Sequence, residues 1–121
     1  MAQDATLETL LLLNGEKFFL DNSGHYRAEI VAQRVPVSAA KPHGIDYSLV
    51  LIGPDGERLV GYDNAHSIRV RKGPSGRGPA EQDHRHRGAR VVSYAYTDAA
   101  SLLEDFWSDV DDVLRKKGVY P

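Results

Sequence analysis

The sequence contains no cysteine among its 121 residues. Disulfide bridges, thiolate metal ligands and a cysteine nucleophile are therefore excluded, which fits a reducing compartment. Long apolar runs are also missing: the run at residues 10–13 is far too short for a signal-peptide core or a membrane span, and no basic segment precedes it. We therefore expect a cytoplasmic protein.

The composition is ordinary, but the charge is unevenly distributed. With 41% hydrophobic and 26% charged residues, the chain is typical of one globular domain, which we assign to residues 1–121. The net charge is only -2, yet residues 69–90 are mostly basic and residues 98–112 are acidic. A molecule polarised in this way suits a polyanionic ligand at its basic end. Alternatively, the acidic segment packs against the basic one and neutralises it.

Turn signals divide most of the chain into short strand-like segments. Asn14-Gly15 predicts a hairpin that joins residues 6–13 to residues 16–20, although residues 6–10 could instead open as a helical turn. Each later segment is expected to pair with its neighbour, because alternating apolar residues and Gly/Pro turns recur. The further predicted strands are residues 25–35, 47–52, 58–60, 67–72 and 90–97. Residues 73–78 (GPSGRG) are predicted to be a flexible loop.

The end of the chain has the periodicity of an amphipathic helix. Apolar residues recur at helical spacing from Ala99 to Leu114, after Thr97 or Asp98 as the N-cap and before Gly118 as the terminator. Hairpins followed by one such helix predict an α+β fold, in which an antiparallel β-sheet built of hairpins carries the C-terminal amphipathic α-helix on one face.

Two polar motifs frame the glycine- and arginine-rich stretch. Residues 61–66 are G-Y-D-N-A-H and residues 83–86 are D-H-R-H, and together they hold three of the five histidines. A P-H-G run at residues 42–44 leads into Y-S-L at residues 47–49. We predict that the functional site lies where these motifs meet.

The order of these motifs resembles the TumE family of bacterial toxin–antitoxin toxins. That family has the same three motifs before a helix with an L-L-x-D-F-W-like segment, here residues 102–107. The resemblance covers about residues 25–114. It implies a toxin whose partner is an antitoxin with a helix-turn-helix, encoded by a neighbouring gene. It does not supply a mechanism, so the chemistry is argued from the residues.

The histidines favour a metal-independent ribonuclease without a cofactor. Cleavage of RNA by its own 2′-hydroxyl needs a base, an acid for the 5′-oxygen and a cation for the phosphorane, and histidine suits both proton roles. In an extended segment His84 and His86 project to one side, roughly 6–7 Å apart at the backbone. His66 could replace one of the pair, and Asp63 or Asp83 could orient a ring.

Substrate contacts are predicted around the same motifs. We expect Tyr62 to stack on a base and Asn64 to read one. Arg85 should point away from the histidines, so other basic side chains are expected to contact phosphate. These are Arg69, Arg71, Lys72 and Arg87, and His43 is a further candidate for lining the site.

Two alternatives use the same two motifs. His84 and His86, with His66 and Asp63 or Asp83, could bind zinc or manganese, and a metal-bound water could then hydrolyse a phosphodiester. In a structural interpretation, the first motif is a braced turn and the second a solvated loop end.

A third alternative comes from a different class of protein. A non-enzymatic module would use the histidine face to bind nucleic acid or a protein. The partners expected are RNA and the antitoxin, with no membrane, and the sequence is also compatible with a homo-oligomer.

Overall fold

In the described chain, consecutive strands pair with each other in antiparallel orientation. The computed structural model describes residues 6–39, 41–64 and 83–120. Within these ranges the strands are β1 (Glu16–Phe19), β2 (Arg27–Arg34), β3 (Ile45–Ile52), β4 (Arg58–Asp63), β5 (His84–Arg87) and β6 (Arg90–Ser93). They form a sheet in the order β1-β2-β3-β4-β5-β6, so the predicted antiparallel architecture is confirmed.

The core lies between one face of this sheet and the helices α1 (Leu7–Leu12) and α2 (Ala99–Lys116). Alternate residues of each central strand point into it, as Tyr47 and Leu49 of β3 do, because side chains alternate across a strand. Phe106 and Leu102 of α2 are fully buried against them. The predicted α+β fold, with the C-terminal helix packed on one face, is therefore confirmed.

The predicted hairpin at the start of the chain is wrong, because residues 7–12 form α1 instead. Leucine favours a helix over a strand, and one turn of helix places Leu10 in the core while Leu12 stays exposed. Asn14 then ties the helix to β2 by accepting a hydrogen bond from the Ala32 N–H. Gly15 follows with φ +86°, a backbone conformation that glycine adopts without strain.

The boundaries of α2 follow its capping residues. The Asp98 side chain accepts a hydrogen bond from the Ser101 N–H at 2.7 Å, which confirms one of the two predicted N-caps. Arg115 and Lys116 occupy the last turn, and Gly118 beyond it has φ +79°.

The last strand is shorter than predicted. β6 ends at Ser93, and the next residue, Tyr94, donates a hydrogen bond through its hydroxyl to Asp105 of α2 at 2.6 Å. Its ring packs edge-on against Tyr62, with 4.9 Å between centroids. The predicted strand at residues 67–72 and the loop at residues 73–78 lie outside the described residues.

Candidate active site

The pairing of β4 with β5 brings parts of the two polar motifs together. Gly61 lies opposite His86 and Asp63 lies opposite His84. Tyr62, between Gly61 and Asp63, points into the core. Because side chains alternate, Asp63, His84 and His86 share the sheet face that is turned away from α2.

The Asp63 carboxylate lies between the two imidazoles. Asp63 Oδ2 is 3.0 Å from His86 Nε2, and Asp63 Oδ1 is 4.0 Å from His84 Nδ1. The ring centroids are 6.4 Å apart, and Asp63 and His86 are only 7% and 5% exposed. The 3.0 Å approach lacks the alignment of a hydrogen bond, so neither of these two ring nitrogens has a hydrogen-bond partner among the described residues. Buried polar atoms left in this way are rare, and they are candidates for a functional role.

The Arg58 guanidinium contacts the opposite edge of the His86 ring. Arg58 Nη2 lies 3.0 Å from His86 Nδ1. A guanidinium only donates, so Nδ1 accepts, and the proton of the neutral ring lies on Nε2, on the side of Asp63. Burial and then the positive charge of Arg58 lower the pKa of His86, against the opposing effect of Asp63. His86 is therefore neutral at physiological pH.

Gly61 leaves the space that Arg58 occupies. A Cβ on Gly61 would lie 2.9 Å from Arg58 Cδ and 3.5 Å from His86 Cβ. A register shift between Leu51 and Ile52 of β3 pairs Ile52 with Arg58 and so turns Arg58 to the side of Gly61. Sequence reasoning missed Arg58, because residues three apart on a regular strand point to opposite faces. The glycine inside a strand was the available signal, since it often marks a bulge or a close approach.

Asp83 belongs to a second polar group on the helix side of the sheet. The Tyr47 hydroxyl donates to Asp83 Oδ2 at 2.6 Å. Burial raises the pKa of Asp83, and burial together with this hydrogen bond raises the pKa of Tyr47, so Tyr47 stays protonated. His43 packs on Tyr96 with 4.5 Å between ring centroids, and Tyr96 in turn lies 5.8 Å from the Tyr47 ring. The structure thus groups His43 with Asp83 and not with the histidine pair.

Tyr62 and Asn64 are buried and bonded within the protein. The Tyr62 hydroxyl donates to Asp109 Oδ2 of α2 at 2.6 Å. The Asn64 side chain accepts from the Tyr47 N–H at 2.9 Å and donates to the Ile45 carbonyl at 2.8 Å. The structure does not bring either side chain to the histidines in the position expected of a base-contacting group.

The arginines of β5 are paired with α2. Arg85 Nε and Nη2 donate to the two carboxylate oxygens of Asp109 at 2.9 and 2.7 Å. Arg87 donates to Asp109 Oδ1 at 3.3 Å and also to Asp112. Arg87, one of the predicted phosphate contacts, therefore faces the acidic helix. For these two arginines the acidic segment does neutralise basic charge.

The remaining predicted site residues are His66, Arg69, Arg71 and Lys72. They lie outside the described residues, so their contribution stays a prediction. A further cation that sequence reasoning missed is Lys41, which lies 3.3 Å from Asp46 and also donates to the Asn64 carbonyl.

Asp63, His84 and His86, here called the cluster, are residue types that bind metals. The described residues alone do not form a set of metal ligands. Over residues 6–39, 41–64 and 83–120, no three His, Asp or Glu side chains are arranged to hold an ion. The ligand set that includes His66 stays a prediction for the same reason as His66 itself.

A search of known proteins gives one family match. Residues 16–114 match the family model described as Toxin TumE. The matched region runs from β1 into the last turn of α2 and includes Arg58, Asp63, His84 and His86. No curated protein and no solved structure matches the chain. In the described part of the chain, no helix has the length and apolar character needed to cross a membrane.

Proposed function

This chain belongs to the TumE toxin family, and we propose that it acts as a metal-independent ribonuclease through the cluster of Asp63, His84 and His86. A toxin role follows from the family, and a cognate antitoxin is implied with it. The proposed partners are therefore RNA and that antitoxin. The proposed place of action is the cytoplasm.

The observation that carries the proposal is the Asp63 carboxylate between two imidazoles, each of which has a buried ring nitrogen without a hydrogen-bond partner among the described residues. Leaving a buried donor or acceptor unpartnered costs about 1–3 kcal/mol, so a cluster kept only for stability would be expected to pair these atoms. In catalytic sites, by contrast, the hydrogen bonds between reacting groups are often long or poorly aligned until the substrate binds.

The cluster contains the groups that transesterification of RNA requires. The 2′-hydroxyl loses its proton to a base as the 2′-oxygen attacks phosphorus. The bond from phosphorus to the 5′-oxygen then breaks, and that oxygen takes a proton, which leaves a 2′,3′-cyclic phosphate and a 5′-hydroxyl. Asp63 and the histidine pair are the groups that can move protons. The adjacent Arg58 guanidinium, which contacts the His86 ring, is the described cation that could supply positive charge for the phosphorane.

The test is cleavage of RNA by purified protein, with and without EDTA, for the wild type and for His84→Ala. We expect wild-type cleavage to survive EDTA and His84→Ala to lower it by about 10²–10⁴-fold. The matched control is His25→Ala, because His25 is 63% exposed and lies at the loop before β2. This control should cleave like the wild type, and the products should carry a cyclic phosphate.

Other outcomes of this cleavage assay would indicate a different function. Cleavage that stops with EDTA and returns with zinc or manganese would make the same residues metal ligands. Binding of RNA without cleavage, weakened stepwise by loss of each cation and by salt, would instead identify a binding module.

A further inference from the structure

The two rings of the cluster are held in different ways. His86 is contacted at both nitrogens, by Arg58 at Nδ1 and by Asp63 at Nε2, each at 3.0 Å. His84 has the Asp63 carboxylate 4.0 Å from its Nδ1, and its side chain is 12% exposed against 6% for His86. We infer that, of the two histidines, only His84 exchanges protons with RNA, whereas His86, held by Arg58, is a positioning residue for Asp63. The inference rests on the proposed ribonuclease function.

His86 is unsuited to either proton role while Arg58 is in place. Its Nδ1 lone pair is occupied by an arginine N–H, and its Nε2 already carries the proton. Acceptance of a second proton would place a ring N–H against the guanidinium, and the lowered pKa of His86 agrees with this. What His86 can do is hold the Asp63 carboxylate in position beside His84, through the close approach of its Nε2 to Asp63 Oδ2.

The Asp63 carboxylate lies where it can assist proton transfer by His84. With its proton on Nδ1, towards Asp63, the His84 ring keeps a free lone pair on Nε2 that can accept the 2′-hydroxyl proton. A carboxylate behind one nitrogen orients such a ring and stabilises the imidazolium that forms. The 4.0 Å separation is longer than a hydrogen bond, as often occurs before substrate binds. The proton for the 5′-oxygen must then come from a group other than His86, and His66, whose contribution stays a prediction, is the candidate that the sequence offers.

Gly61 is part of the same arrangement. A Cβ at this position would lie 2.9 Å from Arg58 Cδ, so the arginine side chain must shift in Gly61→Ala. We expect this added methyl group to weaken the contact between Arg58 and the His86 ring. No contact of Gly61 with RNA is needed for this.

Glutamine substitutions separate the two roles in the cleavage assay. A glutamine at 86 can still donate a hydrogen bond to Asp63 but cannot transfer a proton. We expect His86→Gln to keep activity within about tenfold of the wild type, and His84→Gln to lose about 10²–10⁴-fold. Equal losses in the two variants, or the larger loss in His86→Gln, would overturn the inference.

NMR of the histidine ring nitrogens in the full-length protein gives a measurement that does not depend on activity. In the wild type, His86 should carry its proton on Nε2 and stay neutral through physiological pH. Its charged or titratable neighbours are Arg58 and Asp63 from β4 and His84 from β5. Arg58→Met and Gly61→Ala should both raise the pH at which His86 titrates.

The outcomes of these experiments are distinguishable. A wild-type His86 that carries its proton on Nδ1, or that titrates near the ordinary histidine pKa, would overturn the inference even if His86→Gln failed to fold. If the wild type does not cleave RNA, the ribonuclease proposal and the proton role of His84 both fail. The ring-nitrogen measurement would still decide whether Arg58 locks His86.

Discussion

The two faces of β5 use adjacent residues in opposite ways. On the helix face, Arg85 and Arg87 donate to both oxygens of Asp109, and these charges are matched. On the other face, His84 and His86 each present a buried ring nitrogen that no group in the described ranges satisfies. The strand is only four residues long, yet it has arginines paired with carboxylates on one side and two imidazoles with unpaired ring nitrogens on the other.

This contrast separates charges that stabilise the fold from groups available for chemistry. A buried network in which every donor has an acceptor makes the structure rigid and specific. A buried polar atom without a partner weakens the structure and is expected where it serves another purpose. The charge of β5 by itself does not make this distinction, because both faces contain basic residues.

The largest effect should come from the histidine face. Asp63→Asn removes the charge that lies between the two rings, so we expect RNA cleavage to fall at least about 100-fold. The β4–β5 backbone pairing does not depend on this side chain, and circular dichroism should show a folded protein. Asp46→Asn is the control, since Asp46 lies on neighbouring β3 and is 52% exposed. Full activity in Asp63→Asn would show that the carboxylate has no catalytic part and would remove the contrast.

A substitution on the helix face should lower the stability of the protein and leave RNA cleavage unchanged. Asp109 is 6% exposed and accepts from Tyr62, Arg85 and Arg87, so Asp109→Asn removes the counter-charge of Arg85 and leaves Arg87 with Asp112 alone. We expect a loss of about 2–4 kcal/mol in the free energy of unfolding, less than for a fully buried pair because both arginines are about one-third exposed. Urea unfolding measures it.

The control for this experiment lies two residues further along α2. Asp111 is 48% exposed and lies 3.4 Å from Arg115, so Asp111→Asn should change stability by less than about 0.5 kcal/mol. Cleavage per folded molecule should be unchanged in both variants. A loss of activity in Asp109→Asn at full stability would mean that the arginine face takes part in the reaction.

The smallest effect concerns Asp83, which is buried beside Tyr47. Because burial raises its pKa above 3.8, the contribution of Asp83 to stability is fully present below that pH and is lost as the pH rises through the folded-state pKa. Asp83→Asn keeps an acceptor for the Tyr47 hydroxyl but cannot titrate. The free energy of unfolding of the wild type, minus that of the variant, should therefore fall as the pH rises above 3.8. A difference that rises over this range would contradict the assignment.

The elements that could be predicted are those with a local periodic signal. Residues 99–116 repeat apolar side chains at helical spacing, and residues 45–52 alternate buried with more exposed positions, as the structure has them. The first helix was predicted only as an alternative to a strand, a helical turn at residues 6–10, because a run of four leucines fits a strand and a helix equally well. Its type was decided by whether Leu10 could reach the core between β2 and α2.

The candidate site was predictable only in part, for a related reason. Period-two alternation places His84 and His86 on one side and Arg85 on the other, and this needs no knowledge of the fold. The acceptors of the β5 arginines depend on where α2 crosses the sheet, which no local pattern contains. Tyr62 and Asn64 were assigned to substrate by their chemical type, although their partners in the structure are distant residues of the protein itself.

Residue types and local spacing thus determined the strands, the C-terminal helix and the shared side of the two histidines. Tertiary structure decided which carboxylate lies beside each ring, how deeply His86 is buried and which cation contacts it. The physical reason is the irregularity between β3 and β4: a shift of one residue reverses the face to which Arg58 points. Such a shift depends on the pairing of two strands, and a single strand read along the chain does not reveal it.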